Sequence, residues 1–297
     1  MRFLMCAVLF AFAAIAGSQA QAGVYGSAIL TSSNMVVQFS QTLNGTYTDL
    51  AFASIVVTRS EAELLNTARL EGFPVVQTSG FGNTFGGTVD AVEAFNTSGA
   101  ESSLGQNNFS RTVPLPAVSA FSRADSLING SLVDGIGLNT FVVAEIEAFD
   151  NTLGSSTAST GSEARFNFST TQEGFYRLKF DATADLLVSS IGPPALRTAF
   201  AETSLTIQVN GADVSLDSPE SSVRFAISGN DSKSVNFTGL LTDSIFLQQD
   251  TIHSLTIGHV ARTRLEAVPE PASMLAFAGI VVAGGLGLRR RKRGANA

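Results

Sequence analysis

The residue types best suited to catalysis in this chain are two carboxylates, Glu145 and Glu147, which lie two positions apart. On an extended strand they share one face, with Cα atoms roughly 6–7 Å apart. A retaining glycosidase needs carboxyl groups about 5–5.5 Å apart, so this spacing is compatible with glycan hydrolysis. The alternating residues are apolar and form the other face: Val142, Ala144, Ile146 and Ala148. We therefore predict that both glutamates face water, and a catalytic pair is the alternative interpretation.

The two histidines, His253 and His259, are six positions apart. On a straight strand they share a face but lie roughly 20 Å apart, too far to share a metal ion. The sequence has no Gly-x-Ser-x-Gly, phosphate-binding, Cys-x-x-Cys or His-x-x-x-His spacing, so the usual hydrolase, nucleotide and metal motifs are missing. We predict structural histidines, no catalytic residue, no metal site and no cofactor, and therefore a protein that is not an enzyme.

Alternation of apolar and polar residues dominates the rest of the chain, for example over residues 163–169 and 176–182. A period of two is typical of half-buried strands. Asn210-Gly211 is a turn pair that accepts positive φ at both positions, and the alternating residues on either side of it predict a β-hairpin. With 22 Phe and no Trp, the pattern predicts an all-β antiparallel sandwich whose buried aromatic residues are mainly Phe.

Three segments depart from this alternation. Ser60-Glu61-Ala62-Glu63 is a capping box followed by apolar residues at helical spacing and by Gly72, which predicts one short helix over residues 61–71. Residues 154–162 are rich in Gly, Ser and Thr, and we favour a long loop there over a linker between two domains. Residues 80–87 only approximate a dinucleotide-binding fingerprint, because Phe85 replaces its third glycine, and we interpret them as a glycine-rich surface loop.

The N-terminal residues have the pattern of a secretory signal peptide. Arg2 provides a basic start, residues 3–16 are apolar but too short to span a membrane, and Ala20 and Ala22 form a small-x-small cleavage site. We expect signal peptidase to leave a mature chain starting near Gly23. Cys6, the only cysteine, lies in the removed part, so the exported piece has no thiol chemistry.

The C-terminal residues combine three features: the motif Val268-Pro269-Glu270-Pro271, an apolar run over residues 272–288, and the cationic cluster of Arg289, Arg290, Arg291, Lys292 and Arg293. As a transmembrane helix the run is about 25 Å long, close to the ~30 Å hydrocarbon core. The cationic cluster acts as a stop-transfer signal that keeps its side cytoplasmic. The prolines keep Glu270 extended and accessible to an enzyme.

Together, the signal peptide, Pro-Glu-Pro, the short span and the arginine cluster resemble the PEP-CTERM proteins of Gram-negative bacteria. In that family the tail is recognised by exosortase, an integral-membrane transpeptidase-like enzyme, so the resemblance implies exosortase as a processing partner. The segment is also called an ice-binding protein C-terminal domain, a name that is no evidence of ice binding. The resemblance covers residues 268–293 and implies delivery to the cell surface or an exopolysaccharide matrix.

The expected organisation is a signal peptide over residues 1–22, an exported β-sandwich domain over residues 23–266 and a sorting tail over residues 267–297. Without Arg2, Glu270 and the cationic cluster, the exported piece carries a net charge near −12, which disfavours binding to nucleic acid.

The leading hypothesis is an exported protein with a structural or adhesive role in exopolysaccharide or biofilm. It would pass through the inner membrane as a precursor, and exopolysaccharide would be a further partner. A carbohydrate-binding module is the alternative, disfavoured by the absence of Trp. A glycan hydrolase using Glu145 and Glu147 ranks third.

Overall fold

The chain folds as two antiparallel β-sheets packed face to face, as the alternation predicts. The computed structural model describes residues 23–50, 54–85, 88–99, 106–110, 120–133, 136–149, 156–191, 197–216 and 223–267. The strands in these ranges are β1 (Gly23–Ser40), β2 (Thr48–Asp49), β3 (Ile55–Arg69), β4 (Val76–Phe85), β5 (Thr88–Gly99), β6 (Phe121–Ser131), β7 (Gly137–Phe149), β8 (Ser156–Thr170), β9 (Gly174–Ile191), β10 (Arg197–Val209), β11 (Ala212–Asp213), β12 (Arg224–Ser228), β13 (Asp231–Leu241), β14 (Ile245–Leu247) and β15 (Ile252–Ala267).

The strand order is β11-β10-β15-β8-β3-β4-β5-β6-β7-β1-β9-β13, and every ladder between these strands is antiparallel. The back sheet runs from β11 to β4, and the front sheet runs from β5 to β13. β12 adds to the back sheet through β10, and β2 and β14 add to the front sheet through β1 and β9. β4 joins the two layers, because it pairs with β3 along most of its length and with β5 at Thr84 and Phe85.

The core lies between the two sheets and is built from one face of each strand. On β7 the residues predicted to face the core are buried, namely Val142, Ala144, Ile146 and Ala148. On β8, Phe166 and Phe168 face the same interior. The sheets approach closely where β1 crosses β15, since a Cβ on Gly26 would lie 3.6 Å from the Cβ of Ala199 and 3.7 Å from the Cβ of Thr263. The Oγ of Ser32 is 2.7 Å from Nε2 of His259 across the same interface.

The predicted helix over residues 61–71 is wrong, because residues 55–69 form strand β3. β3 pairs with β4 on one side and with β8 on the other. Its inward residues Ala62, Leu64 and Ala68 are fully buried. Good helix formers occupy this strand because tertiary pairing outweighs helix propensities that differ by only tenths of a kcal/mol per residue. Within the described residues the structure contains no α-helix.

The loop predicted over residues 154–162 is also wrong from residue 156 onward. These residues begin β8, a strand in the middle of the back sheet between β3 and β15. Its inward positions there are small residues, and Ser156, Ala158 and Thr160 are fully buried. Serine, alanine and threonine at these positions are small enough to let the two sheets approach closely, so the composition that suggested flexibility serves close packing instead.

The glycine-rich surface loop predicted over residues 80–87 is a strand up to residue 85, within β4. A Cβ on Gly80 would lie 2.6 Å from the carbonyl oxygen of Glu93, and a Cβ on Gly82 would lie 2.1 Å from Cγ2 of Val92. The glycines are therefore required where β5 approaches β4 at the corner between the sheets, which is a common reason for glycine inside a strand.

The hairpin predicted at Asn210-Gly211 is confirmed. β10 ends at Val209, β11 begins at Ala212, and the two turn residues have φ of 53° and 77°. Both values lie in the left-handed region that a type I′ turn requires.

β1 begins and β15 finishes at the same end of the sandwich. Gly23 opens β1, where it pairs with Phe149 and Ile191, and Ala267 closes β15, where it pairs with Arg197. Because β1 crosses β15 at Gly26 and Thr263, these two positions lie at one end, which we call the exit end. The opposite end, where β15 begins at Ile252, is the far end.

Candidate functional site

The predicted processing sites lie just beyond the two described ends of the fold. Ala20 and Ala22, the motif over residues 268–271, the predicted transmembrane helix over residues 272–288 and the cationic cluster over residues 289–293 lie outside the described residues. The residues that flank them are held firmly. Leu265 is fully buried two positions before the last residue of β15, and β15 is an interior strand between β10 and β8. The sorting motif thus follows the last strand directly.

Glu145 and Glu147 lie on the outer face of the front sheet, as their alternation with the apolar set predicts. Their predicted solvent exposure is wrong, because Glu145 is 0 % exposed and Glu147 is 5 % exposed. A segment over residues 106–110 lies over this face, with the ring of Phe109 stacked 5.2 Å from that of Phe141. The face that would be wet in a bare sheet is therefore covered.

Glu145 is bound within a buried polar cluster that we define as Tyr25, Ser27, Arg123, Asp125 and Glu145. Its Oε1 accepts a 2.6 Å hydrogen bond from the hydroxyl of Tyr25 and a 3.4 Å bond from Ser27. Its Oε2 lies 3.2 Å from Nη2 of Arg123, whose side chain is also 0 % exposed. A carboxylate occupied on both oxygens and shielded from water has the features of a structural anchor.

Arg123 links this cluster to the covering segment. Its Nη2 donates hydrogen bonds of 2.7 Å to the carbonyl of Asn108 and 3.3 Å to that of Ser110. Among the described residues, Nε and Nη1 of Arg123 have no hydrogen-bond partner. The guanidinium therefore holds residues 106–110 against the sheet while it neutralises Glu145, and both roles depend on its positive charge.

Asp125, two positions along β6, has an unusual environment for a carboxyl group. Burial raises the pKa of Asp125 to about 6, although Arg123 and the backbone N–H groups of Asn107 and Asn108 act in the opposite direction. No residue in the described ranges makes a hydrogen bond of ordinary geometry to either Oδ atom of Asp125. Desolvation thus outweighs the nearby positive charge, and the buried carboxylate costs folding free energy when it is ionised.

Sequence reasoning missed Arg123 and Asp125. The available signal is the long connection between β5 and β6, which spans residues 100–120. A connection of that length is uncommon in a compact domain and often serves a function. The position of residues 106–110 over β6 and β7 and the pairing of Arg123 with Glu145 depend on register and tertiary packing, which local sequence does not reveal.

The two histidines lie on the inner face of β15, as their spacing predicts. His253 Nδ1 accepts from Nδ2 of Asn210 at 3.2 Å, and its Nε2 donates to the carbonyl of Gln248 at 3.2 Å. Burial lowers the pKa of His259 to about 3, so this ring is neutral at ordinary pH. Within the described ranges, no group of three or more His, Cys, Asp or Glu residues could hold a metal ion.

An open cleft of about 490 Å³ lies beside the β10–β11 hairpin, lined by Ser204–Ile207, Asp213–Leu216 and Arg224. Leu205, Ile207 and Leu216 supply buried apolar surface, and Asp213 and Arg224 supply opposite charges. Such a cleft can hold a polar ligand, but its described lining residues include no pair of carboxylates of the kind that a glycosidase uses.

Among the described residues, no helix is long and apolar enough to cross a membrane.

Comparison with known proteins identifies the tail. Neither the curated proteins nor the solved structures contain a match to the chain. The family model described as the PEP-CTERM protein-sorting motif matches residues 267–292, which include Pro-Glu-Pro, the apolar run and most of the cationic cluster. The match begins at Ala267, where β15 ends. Such a motif implies export through the membrane to the cell surface and processing by exosortase. Residues 267–292 of this chain therefore match a PEP-CTERM protein-sorting motif.

Proposed function

We propose that this chain is a non-enzymatic, exported β-sandwich protein with a structural or adhesive role at the cell surface or in the exopolysaccharide matrix of a Gram-negative bacterium. The observation that carries the proposal is the match of residues 267–292 to the sorting motif. On this proposal, signal peptidase removes residues 1–22, residues 272–288 span the inner membrane in the precursor, and exosortase acts at Val268-Pro269-Glu270-Pro271.

The fold supports delivery of an intact domain. β15 pairs with β10 up to Ala267, and Val268-Pro269-Glu270-Pro271 follow directly. A cut within these four residues therefore removes no strand residue and breaks no ladder between described strands. The passenger keeps its complete core after processing, which a durable matrix component requires.

The buried polar cluster supports the non-enzymatic part of the proposal. A general acid or nucleophile must reach its substrate within hydrogen-bond distance. Glu145 instead contacts Tyr25, Ser27 and Arg123 on the covered face. A hydrolase mechanism through Glu145 would first require the segment over residues 106–110 to leave the sheet.

Intact-mass analysis of protein extracted from the surface of the native host tests the sorting part. We expect a species that lacks residues 1–22 and the tail, well below the 31.0 kDa of the full chain. The Glu270→Ala variant should retain the tail and remain in the membrane fraction, whereas Glu173→Ala, in a turn of the sandwich, should be processed normally. A full-length species in cells with active exosortase would contradict the proposal.

A deletion strain tests the structural part. Loss of the chain should weaken cohesion of the matrix, and expression of the wild-type chain should restore it. The unprocessed Glu270→Ala variant should not restore it, because the protein stays at the inner membrane. A matrix of unchanged mechanical strength in the deletion strain would refute a structural or adhesive role while leaving the sorting intact.

A carbohydrate-binding module is the second candidate, and the cleft beside β10 and β11 favours it. Tyr25 and Tyr176 are buried, and the guanidinium of Arg177 lies 3.9 Å above the ring of Tyr47. Sugar stacking on tyrosine is therefore disfavoured, and binding would use the polar groups of the cleft. Retention of surface-extracted protein on the host exopolysaccharide tests it. Arg224→Ala in the cleft should abolish retention and Arg59→Ala outside it should not.

A further inference from the structure

The chain between the sandwich and the predicted membrane span is very short. β15 ends at Ala267, and the apolar run of the sorting motif begins at Ala272. The intervening residues 268–271 reach at most about 14 Å when fully extended. The polar layer of a bilayer is roughly 5–8 Å thick on each side of the hydrocarbon core. In the anchored precursor, the exit end must therefore lie in or next to the headgroup layer.

A turn at the exit end lies close to this anchor point. β3 ends at Arg69, which pairs with Thr157 on β8, and Thr157 pairs with Arg264 on β15. Two strand spacings, roughly 10 Å, thus separate β3 from β15 laterally at the level of Arg264, three residues before β15 ends. The turn that follows, residues 70–75, is within lateral reach of the point where the chain leaves the fold.

The turn is firmly held and presents apolar side chains to the exterior. The N–H of Glu71 donates to Oγ of Ser156 at 3.3 Å, and Oγ of Ser98 donates to the carbonyl of Pro74 at 3.4 Å. Phe73 is 50 % exposed and Val75 is 57 % exposed, and Val76 continues the exposed run. Exposed apolar side chains that lie next to a bilayer can bury their surface at the boundary between headgroups and acyl chains.

We propose that the turn formed by Phe73, Pro74, Val75 and Val76 inserts into the headgroup layer of the bilayer while the precursor is anchored. This inference rests on the proposed sorting, since the tail brings the turn to the membrane. Contact with lipid would fix the orientation of the sandwich and hold the motif at the membrane surface. Cleavage ends the tether, and the released domain then leaves the bilayer.

Position and charge favour lipid contact by this turn in particular. With a net charge near −12, the exported piece is not attracted to anionic lipid, so contact must come from apolar burial and the tether. Other exposed apolar residues, such as Phe246 and Ile252, lie at the far end. The length of β15 places them roughly 50 Å from the anchor point, beyond the reach of residues 268–271.

Fluorescence of single-tryptophan variants tests the proposal, because the natural chain has no Trp. The precursor with its tail intact is reconstituted into phosphatidylcholine vesicles whose acyl chains carry bromine. Phe73→Trp should emit at shorter wavelength than in the tail-cleaved domain and should be quenched by the brominated lipid. Phe246→Trp is the matched control, since Phe246 is 51 % exposed at the far end, and it should show neither effect.

Val75→Trp is a second probe in case the first substitution disturbs the turn, and it should also be quenched. Equal, unquenched emission from Phe73→Trp, Val75→Trp and Phe246→Trp in a vesicle-bound precursor would overturn the lipid contact while leaving the sorting intact. A shift to shorter wavelength without bromine quenching, seen only in vesicles that also contain the processing enzyme, would assign the turn to that protein and would equally overturn the lipid contact. A precursor that fails to bind vesicles would overturn the proposed sorting as well.

Discussion

Replacement of Arg123 by methionine should destabilise this protein far more than loss of an ordinary surface arginine. Arg123 and Glu145 are both 0 % exposed and their charged groups are 3.2 Å apart. Removing one partner of a buried ion pair leaves an uncompensated charge and costs about 3–5 kcal/mol. Total stability of a domain is about 5–15 kcal/mol, so Arg123→Met removes roughly a fifth of it or more.

Urea unfolding of the exported chain measures this effect, with Arg262→Met as the matched control. Arg262 pairs with Glu202 at 3.1 Å, but the two side chains are 52 % and 42 % exposed, so that variant should cost less than about 1 kcal/mol. The double variant Arg123→Met/Glu145→Gln should be more stable than Arg123→Met, because it removes the carboxylate left without its cationic partner.

The same variant should also loosen the covering segment. Arg123 donates to the carbonyls of Asn108 and Ser110, so Arg123→Met should make limited proteolysis at Phe109 faster than in Arg262→Met at equal fractions of folded protein. Equal losses of stability for Arg123→Met and Arg262→Met, with unchanged cleavage at Phe109, would refute the argument that the buried pair holds this face together.

Two further predictions concern pH. The pKa of Asp125 is raised to about 6 by burial, so its ionisation lowers stability as pH rises from about 4 to 6. Asp125→Asn should therefore stabilise the fold above pH 6 by up to roughly 3 kcal/mol and have little effect near pH 4. Asp181→Asn is the control of opposite sign, because hydrogen bonds from Asn34 and Gly239 lower the pKa of Asp181. This variant should lose stability at neutral pH, and the difference should fade in acid. The pKa of His259 is lowered to about 3 by burial, so the wild type should lose stability as pH falls from about 6.5, and His259→Gln should flatten that slope in urea titrations. An unchanged slope would contradict the buried neutral ring.

Local sequence patterns were sufficient to predict those features of the protein that neighbouring residues decide. The Asn210-Gly211 hairpin was predictable because positive φ at two consecutive positions favours this residue pair. Strand alternation on β7 correctly predicted which residues face the core. The sorting motif was recognisable because proline, a short apolar run and a cationic cluster act through composition and order alone.

The same kind of pattern gave wrong predictions where pairing with residues distant in sequence decides the local structure. Residues 61–69 have helical composition, yet pairing with β4 and β8 makes them a strand. Residues 156–162 look flexible, yet small side chains are what a strand in a closely packed sheet interface needs. At β4, the approach of β5 to Gly80 and Gly82 requires glycine inside a strand.

The amino-acid sequence by itself determined the class of fold, the inward faces of its strands and the match of its tail to a sorting motif. These depend on period, composition and order, which are properties of contiguous residues. Only the tertiary structure decided that Glu145 is buried against Arg123, and that Gly23, Ala267 and the Phe73 turn share one end. Those facts depend on register and on which loop covers which sheet, and the free energies that decide between such arrangements come from contacts between residues far apart in the chain.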